Sequence, residues 1–188
     1  VNWKKDLDSS NLYPTPLVMD SNSNIYVGTG QHVISLTSEG NTRWRFNSTP
    51  DLGPASLSMV VDDDNNIIVP TQTNCLYSLD SNGNLNWKFN TSYKRILFKS
   101  PVIYDDKIIV ASIDISNYTS ILGGENDYLY CLNSNGTLDW KYHTEGVMSS
   151  AAVDSEGNIY FGTSDEHLYS LDKDGNLRWK FDAPIKST

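Results

Sequence analysis

Short apolar runs separated by polar, turn-forming residues recur along the chain in one fixed order, four times over. Each unit opens on a brief apolar run that ends in aspartate: Leu17-Val18-Met19-Asp20, Met59-Val60-Val61-Asp62, Val102-Ile103-Tyr104-Asp105 and Ala151-Ala152-Val153-Asp154. A second run follows, rich in β-branched and aromatic residues: Ile25-Tyr26-Val27, Ile67-Ile68-Val69, Ile108-Ile109-Val110 and Ile159-Tyr160-Phe161. The third is Val33-Ile34-Ser35-Leu36, Leu76-Tyr77-Ser78-Leu79, Leu129-Tyr130-Cys131-Leu132 and Leu168-Tyr169-Ser170-Leu171. The fourth is Trp44-Arg45-Phe46, Trp87-Lys88-Phe89, Trp140-Lys141-Tyr142 and Trp179-Lys180-Phe181, each a few residues after a glycine at 40, 83, 136 or 175. Runs of this length and composition predict β-strands, here termed A to D in each unit, and no segment carries a helical period. Strand A is almost wholly apolar, as a strand covered on both faces would be. Strands C and D alternate and end in polar residues, the pattern of outer strands. Asp-Ser-Glu-Gly-Asn at 154–158 and Lys-Asp-Gly-Asn at 173–176 supply the positive-φ residues of tight hairpins.

A four-stranded unit repeated every 40 or so residues is the blade of a β-propeller. The expected fold is all-β, a single propeller region over 1–188 with blades at 13–46, 56–89, 99–142 and 149–181. The third is lengthened by an insertion near 113–127. Asn2-Trp3-Lys4-Lys5, within residues 1–6, reads as the outer strand of a preceding blade. The wording Ile-Tyr-Phe-Gly-Thr, then Leu-Tyr-Ser-Leu-Asp-x-x-Gly-Asn-Leu-x-Trp-Lys-Phe, resembles the PQQ-like repeat of quinoprotein dehydrogenases and of BamB-type proteins. The resemblance covers nearly the whole chain and specifies a fold, not a function. It implies that Trp44, Trp87, Trp140 and Trp179 are structural, each docking between neighbouring blades against a small strand-C residue (Ser35, Ser78, Cys131 or Ser170). It also implies an extracytoplasmic location. Rings of this family usually have seven or eight blades. Four blades and an orphan strand therefore suggest a partial propeller, with a ring closed by two copies or a small closed ring as alternatives. A first residue of Val1 suits a processed or excised piece.

In a propeller the A–B and C–D connections share one face, and the B–C and D–A connections share the other. Here the A–B and C–D turns are short and alike. The D–A connections (47–56, 90–100 and 143–149) differ, and the 113–127 insertion, with Tyr118 and Gly123-Gly124, sits in a B–C connection. Divergence confined to one face is how a repeat array presents a binding site. On that face Tyr93, Lys94, Arg95 and Lys99 form a basic and aromatic cluster suited to a carboxylate, a phosphate or a sugar acid.

Charge narrows the partners. The net charge of −9 repels phosphate backbones and anionic membranes, so no nucleic-acid binding is expected. No run approaches the ~20 apolar residues of a spanning helix, so no membrane insertion is expected. Cys75 and Cys131 offer neither a disulfide framework nor metal spacing. Asn-x-Ser/Thr triplets at Asn47, Asn90, Asn117 and Asn135 are as many as this composition gives by chance. The stretches 172–176 and 62–65 have the look of calcium loops, but from Asp172 the glycine stands fourth rather than sixth and Ala183 occupies the twelfth place. His32, His143 and His167 fall on separate blades, so neither a metal site nor a hydrolase constellation is expected. Quinoprotein dehydrogenases stack their quinone on a disulfide of adjacent cysteines, and this chain has no Cys-Cys pair. The reading is a non-catalytic binding or scaffold module with no cofactor, recognising a protein, peptide or carbohydrate and able to self-associate. The alternative is a fragment of a PQQ-dependent dehydrogenase.

Overall fold

The computed structural model describes residues 3–7, 16–29, 32–47, 58–71, 74–93, 96–115, 126–146 and 149–182. The chain divides into two compact units, Val1–Thr91 and Ser92–Thr188, each holding two antiparallel blades in the order A-B-C-D. In the first unit, blade 1 comprises β1 (Val18–Met19), β2 (Ile25–Thr29), β3 (His32–Leu36) and β4 (Thr42–Asn47). Blade 2 comprises β5 (Val60–Val61), β6 (Ile67–Pro70), β7 (Cys75–Leu79) and β8 (Leu85–Asn90). In the second, blade 3 comprises β9 (Ile96–Phe98), β10 (Val102–Tyr104), β11 (Lys107–Asp114), β12 (Tyr128–Asn133) and β13 (Leu138–His143). Blade 4 comprises β14 (Ala152–Val153), β15 (Ile159–Gly162), β16 (His167–Leu171) and β17 (Leu177–Asp182).

Burial along the blade departs from the sequence expectation. The strands buried along most of their length are B and C: β6 and β7 are buried throughout. Strand A is partly exposed, Met19 at 59%, because it is a sheet edge with a hydrogen-bonded neighbour on one side only. The D–A connection at 90–100 is likewise not all loop. Ile96-Leu97-Phe98 forms β9, antiparallel to Ser112–Asp114 at the far end of the long β11. Residues 3–7 form no strand. The inserted segment between Asp114 and Asn126 lies largely outside the described residues, including Tyr118, Gly123 and Gly124. At its root the Asp114 N–H donates to the buried Asp127 carboxylate at 2.6 Å.

Within each unit a main apolar cluster lies between the two blades, and a smaller one, Val27, Ile34 and Leu36 with Leu7, belongs to blade 1 alone. Tyr26 and Val33 of blade 1 pack with Met59, Ile67 and Val69 of blade 2, and Ala111 and Leu129 of blade 3 with Ile159 and Phe161 of blade 4. One contact recurs at these seams. The Trp44 indole N–H donates to the Ser81 carbonyl at 2.9 Å, in the C–D turn of the next blade, and its six-membered ring covers Gly83. A Cβ there would fall 2.6 Å from Trp44 Cδ2. Trp140 repeats this on Lys173 and Gly175, and Trp3 on Ser38 and Gly40. The indole thus docks on the following blade's turn glycine. The small strand-C residue has a different place: Ser35 stands across from Trp44 in the same sheet, beside a β-bulge. Ser78 faces Trp87 and Cys131 faces Trp140 in the same way. Trp179 faces Ser170 and is 39% exposed.

The turns are stapled by aspartate. Asp20 Oδ1 accepts the backbone N–H groups of Asn22 and Asn24, and Oδ2 accepts the Asn24 amide and the Tyr26 hydroxyl, all at 2.7–2.9 Å. Asp80, Asp154 and Asp172 accept equivalent sets. The two stretches resembling calcium loops are therefore stapled turns: in Asp62 and Asp172 both carboxylate oxygens accept N–H donors. The Asn158 amide, opposed by slight desolvation and aided by backbone N–H groups and the Tyr160 hydroxyl, holds the Asp154 carboxyl down at about 2.

Two predictions follow from these contacts. Gly83 needs a φ of +85° and has an indole where its Cβ would go, so Gly83→Ala costs about 3 kcal/mol of unfolding free energy. Gly162→Ala, whose nearest neighbours would be 3.9 Å away, leaves denaturant midpoints unchanged. For Asp154, a depressed carboxyl pKa contributes stability that is complete above the ordinary value of 3.8 and lost as pH falls through about 2. Unfolding free energy measured down that window falls, and Asp154→Asn flattens the fall.

Candidate functional site

The ends of strands C and D on the B–C and D–A face carry one cross-strand pair per blade, and this pair changes every time. It is His32 opposite Asn47, Cys75 opposite Asn90, Tyr128 opposite His143 and His167 opposite Asp182. The positions just inside the pair are apolar in every blade: Val33, Leu76 and Leu129 are fully buried, and Leu168 of blade 4 is exposed. Each rim pair makes its own chemistry. The Cys75 thiol donates to Asn90 Oδ1 at 2.9 Å, and the His167 ring contacts Asp165 at 2.8 Å and Asp182 at 3.0 Å through its two nitrogens.

Blade 3 builds the largest of these rims. Strand D carries a lysine across from a strand-C tyrosine in three blades, at Tyr77–Lys88, Tyr130–Lys141 and Tyr169–Lys180. In blades 2 and 4 the ammonium sits over that facing ring, 5.4 and 5.2 Å from its centre, a cation–π contact. In blade 3, Lys141 lies instead 4.3 Å from the centre of Tyr128 and 5.3 Å from that of Tyr93, and donates to the Tyr93 hydroxyl at 3.2 Å. The Tyr93 and Tyr128 rings stack at 5.7 Å and 9°, their hydroxyls 3.5 Å apart. His143 meets Tyr128 edge-on at 5.2 Å. The Tyr128 hydroxyl and the Lys141 ammonium together lower the Tyr93 phenol below its ordinary value of 10.0. The result is a half-exposed aromatic plate bearing an ammonium and an imidazole. It suits stacking against a flat or ring-shaped ligand and donating to its oxygens.

Of the residues singled out in the sequence, Tyr93 is in this cluster. Lys94 and Arg95 lie outside the described residues. Lys99 falls between β9 and β10, where its backbone N–H donates to the Ala111 carbonyl at 2.8 Å. Its side chain makes no hydrogen bond or ion pair among the described residues. Tyr128, Lys141 and His143 are additions from the structure. Tyr128 had a signal in the sequence, since it stands where the other repeats have His32, Cys75 and His167. Among the described residues no group of three or more His, Cys, Asp or Glu side chains could hold a metal ion, and no helix is long and apolar enough to cross a membrane.

Four-stranded antiparallel blades joined by indole-to-glycine docking define a β-propeller of PQQ-like blades. The family profile described as outer membrane protein assembly factor BamB matches residues 29–121 and 114–187, and the chain belongs to that PQQ-like repeat family. A search among curated proteins returned no significant match. Among solved structures, the chain is similar to a catalytically inactive virginiamycin B lyase from Staphylococcus aureus with quinupristin. That match has a TM-score of 0.74 and 10% identity, over 96% of this chain and 59% of the lyase. It is similar to the computationally designed Ika8 protein (TM-score 0.72, 13% identity, 95% and 52% covered). A protein of unknown function from Bacteroides caccae also resembles it (TM-score 0.64, 14% identity, 96% and 64% covered). At these identities the likeness is one of fold, and the chain spans between half and two thirds of each structure's length.

The Lys141 ammonium is one of the two groups that hold Tyr93 acidic. Lys141→Met therefore moves the Tyr93 titration to higher pH, read from tyrosinate absorbance against a Tyr93→Phe reference.

Proposed function

We propose that this chain is a non-catalytic binding module that recognises an extracytoplasmic ligand through its B–C and D–A face, centred on Tyr93, Tyr128, Lys141 and His143. The observation that carries this reading is the contrast between faces. Three of the four A–B turns and two of the four C–D turns share the same aspartate staple, at Asp20, Asp62, Asp154, Asp80 and Asp172, while the opposite rim changes its cross-strand pair in each blade. A half-exposed aromatic stack topped by a cation favours a carbohydrate, above all a sugar acid, or an acidic segment of a peptide. A location outside the cytoplasm agrees with the outer-membrane assembly role named in the family's description.

The test is a screen of neutral and acidic oligosaccharides and acidic peptides, followed by chemical-shift perturbation. Binding moves the resonances of Tyr128 and His143, and Tyr128→Ala weakens it about tenfold or more without lowering the melting temperature. Perturbation confined to other parts of the molecule overturns the assignment. The non-catalytic part of the reading fails if added PQQ and Ca²⁺ yield a bound chromophore and dye reduction.

A further inference from the structure

Blade 3 is rebuilt on its A–B and C–D face. Ile109, Cys131 and Asp139 stand where blade 1 has Tyr26, Ser35 and Arg43. Four residues separate the paired Ile103 and Ile108, where five separate Met19 and Ile25. A cleft of about 490 Å³ opens there beside blade 4, but its apolar lining is closed, with Ile109 and Ile159 at 3% and 0% exposure. The open chemistry lies at its edge, in the C–D turn.

That turn inverts the staple of its sisters. In blades 2 and 4 an aspartate, Asp80 or Asp172, accepts from the asparagine four residues on. Blade 3 has Asn133 and Thr137 in those two places, and the hydrogen bonds run as a relay. Lys107, ion-paired to Asp139 at 2.9 Å, donates to Asn133 Oδ1 at 2.6 Å. The Asn133 amide donates to Thr137 Oγ1 at 2.9 Å. The Thr137 hydroxyl and N–H then both donate to Asn135 Oδ1, at 2.7 and 3.1 Å. Donors in such a chain polarise one another. Asn135 is exposed, and its Nδ2 makes no hydrogen bond among the described residues. Indole docking leaves this position clear: Asn82 and Asp174, one residue before Gly83 and Gly175, are exposed with Trp44 and Trp140 seated on those glycines.

Asn135-Gly136-Thr137 is one of the four Asn-x-Ser/Thr triplets. Asn90, at the end of β8, is placed differently. Its Oδ1 accepts the Cys75 thiol at 2.9 Å, and the Thr91 N–H donates to the Asn74 carbonyl at 3.1 Å, continuing the ladder. The triplets at Asn47 and Asn117 extend outside the described residues.

We infer that Asn135 is an acceptor for asparagine-linked glycosylation, its carboxamide oxygen held by Thr137 and its reacting nitrogen left free. The donor is a polyprenyl-diphosphate-linked sugar. A bond forms between Asn135 Nδ2 and the anomeric carbon, the bond from that carbon to the diphosphate oxygen breaks, and the diphosphate leaves with the electron pair. The amide proton passes to a base of the transferase. As Nδ2 gives up its proton, charge moves onto Oδ1, where both Thr137 donors stabilise it. The glycan stands on the face opposite Tyr128 and His143 and leaves the recognition rim clear. Occupancy in the cell rests on the extracytoplasmic location proposed above.

The test incubates the folded full chain with a membrane oligosaccharyl transferase and its polyprenyl-diphosphate-linked glycan, and reads the triplets by peptide mass spectrometry. Asn135 is expected to gain the glycan mass and Asn90 to stay bare, while synthetic peptides carrying the two triplets react alike. Asn133→Asp keeps the triplet but restores the sister staple, which draws the Thr137 N–H away from Asn135. Modification of Asn135 in the folded variant then falls about fivefold. A bare Asn135 in the folded chain, an Asn90 modified as readily, or indifference to Asn133→Asp overturns the assignment. Protein isolated from its native cells separates the two readings: an Asn135 that is bare there yet accepts the glycan in the folded chain overturns the location and not the acceptor.

Discussion

The seam between blades rests on an indole seated on a glycine that has no room for a Cβ. Trp44 on Gly83 and Trp140 on Gly175 each combine a large buried apolar ring with one directed hydrogen bond to a turn carbonyl. The indole selects glycine by contact, and the turn selects it again by its positive φ. Around this fixed point the rest follows: the apolar side chains of strands B and C meet between blades, and the aspartate staples hold the turns that present the carbonyl. A blade whose turn lost its shape would lose its neighbour as well.

That constraint explains why the two faces differ. The C–D turns must present a glycine and a carbonyl in the same place each time, and on the same face the A–B turns of neighbouring blades meet, the Ser21 hydroxyl donating to Asn65 at 2.8 Å. The opposite rim carries no such duty, so its cross-strand pairs vary from a thiol on an amide to an imidazole between two carboxylates. Blade 3 departs from the pattern on both faces, with an aromatic stack at one end and a cleft at the other. Strands β12 and β13 contribute to both features, and Lys141 and Asp139 stand two residues apart on one of them.

Much of the fold was legible in the sequence because its marks recur with fixed spacing: glycine, then tryptophan, after a Leu-Tyr-Ser-Leu strand. The indole's partner was not legible, since Trp44 and Gly83 meet across a repeat and no local pattern pairs them. Ile96-Leu97-Phe98 was too short a run beside too many charges to stand out as a strand, and strand A read as covered because apolarity alone does not reveal a sheet edge. At the rim, Tyr93 drew attention through its basic neighbours. Lys141 did not, because a strand-D lysine facing a tyrosine is also the arrangement of Lys88 and Lys180. The cleft was hidden for a different reason. It is made of what is missing, an isoleucine for a tyrosine and one residue from a turn, and such omissions carry no motif.

The docking contact also has a direction. Each repeat carries the indole on its last strand and the receiving glycine in the turn just before that strand, so the surface that gives and the surface that receives are different parts of one unit. Such a head-to-tail joint does not exhaust itself on pairing, unlike a two-fold contact between identical patches. A copied stretch of gene encoding one repeat would bring both halves of the joint with it and could be inserted without any new interface having to evolve. Lengthening the array is then simple, while specialising one member, as blade 3 has done, requires changes only at positions that the joint does not use.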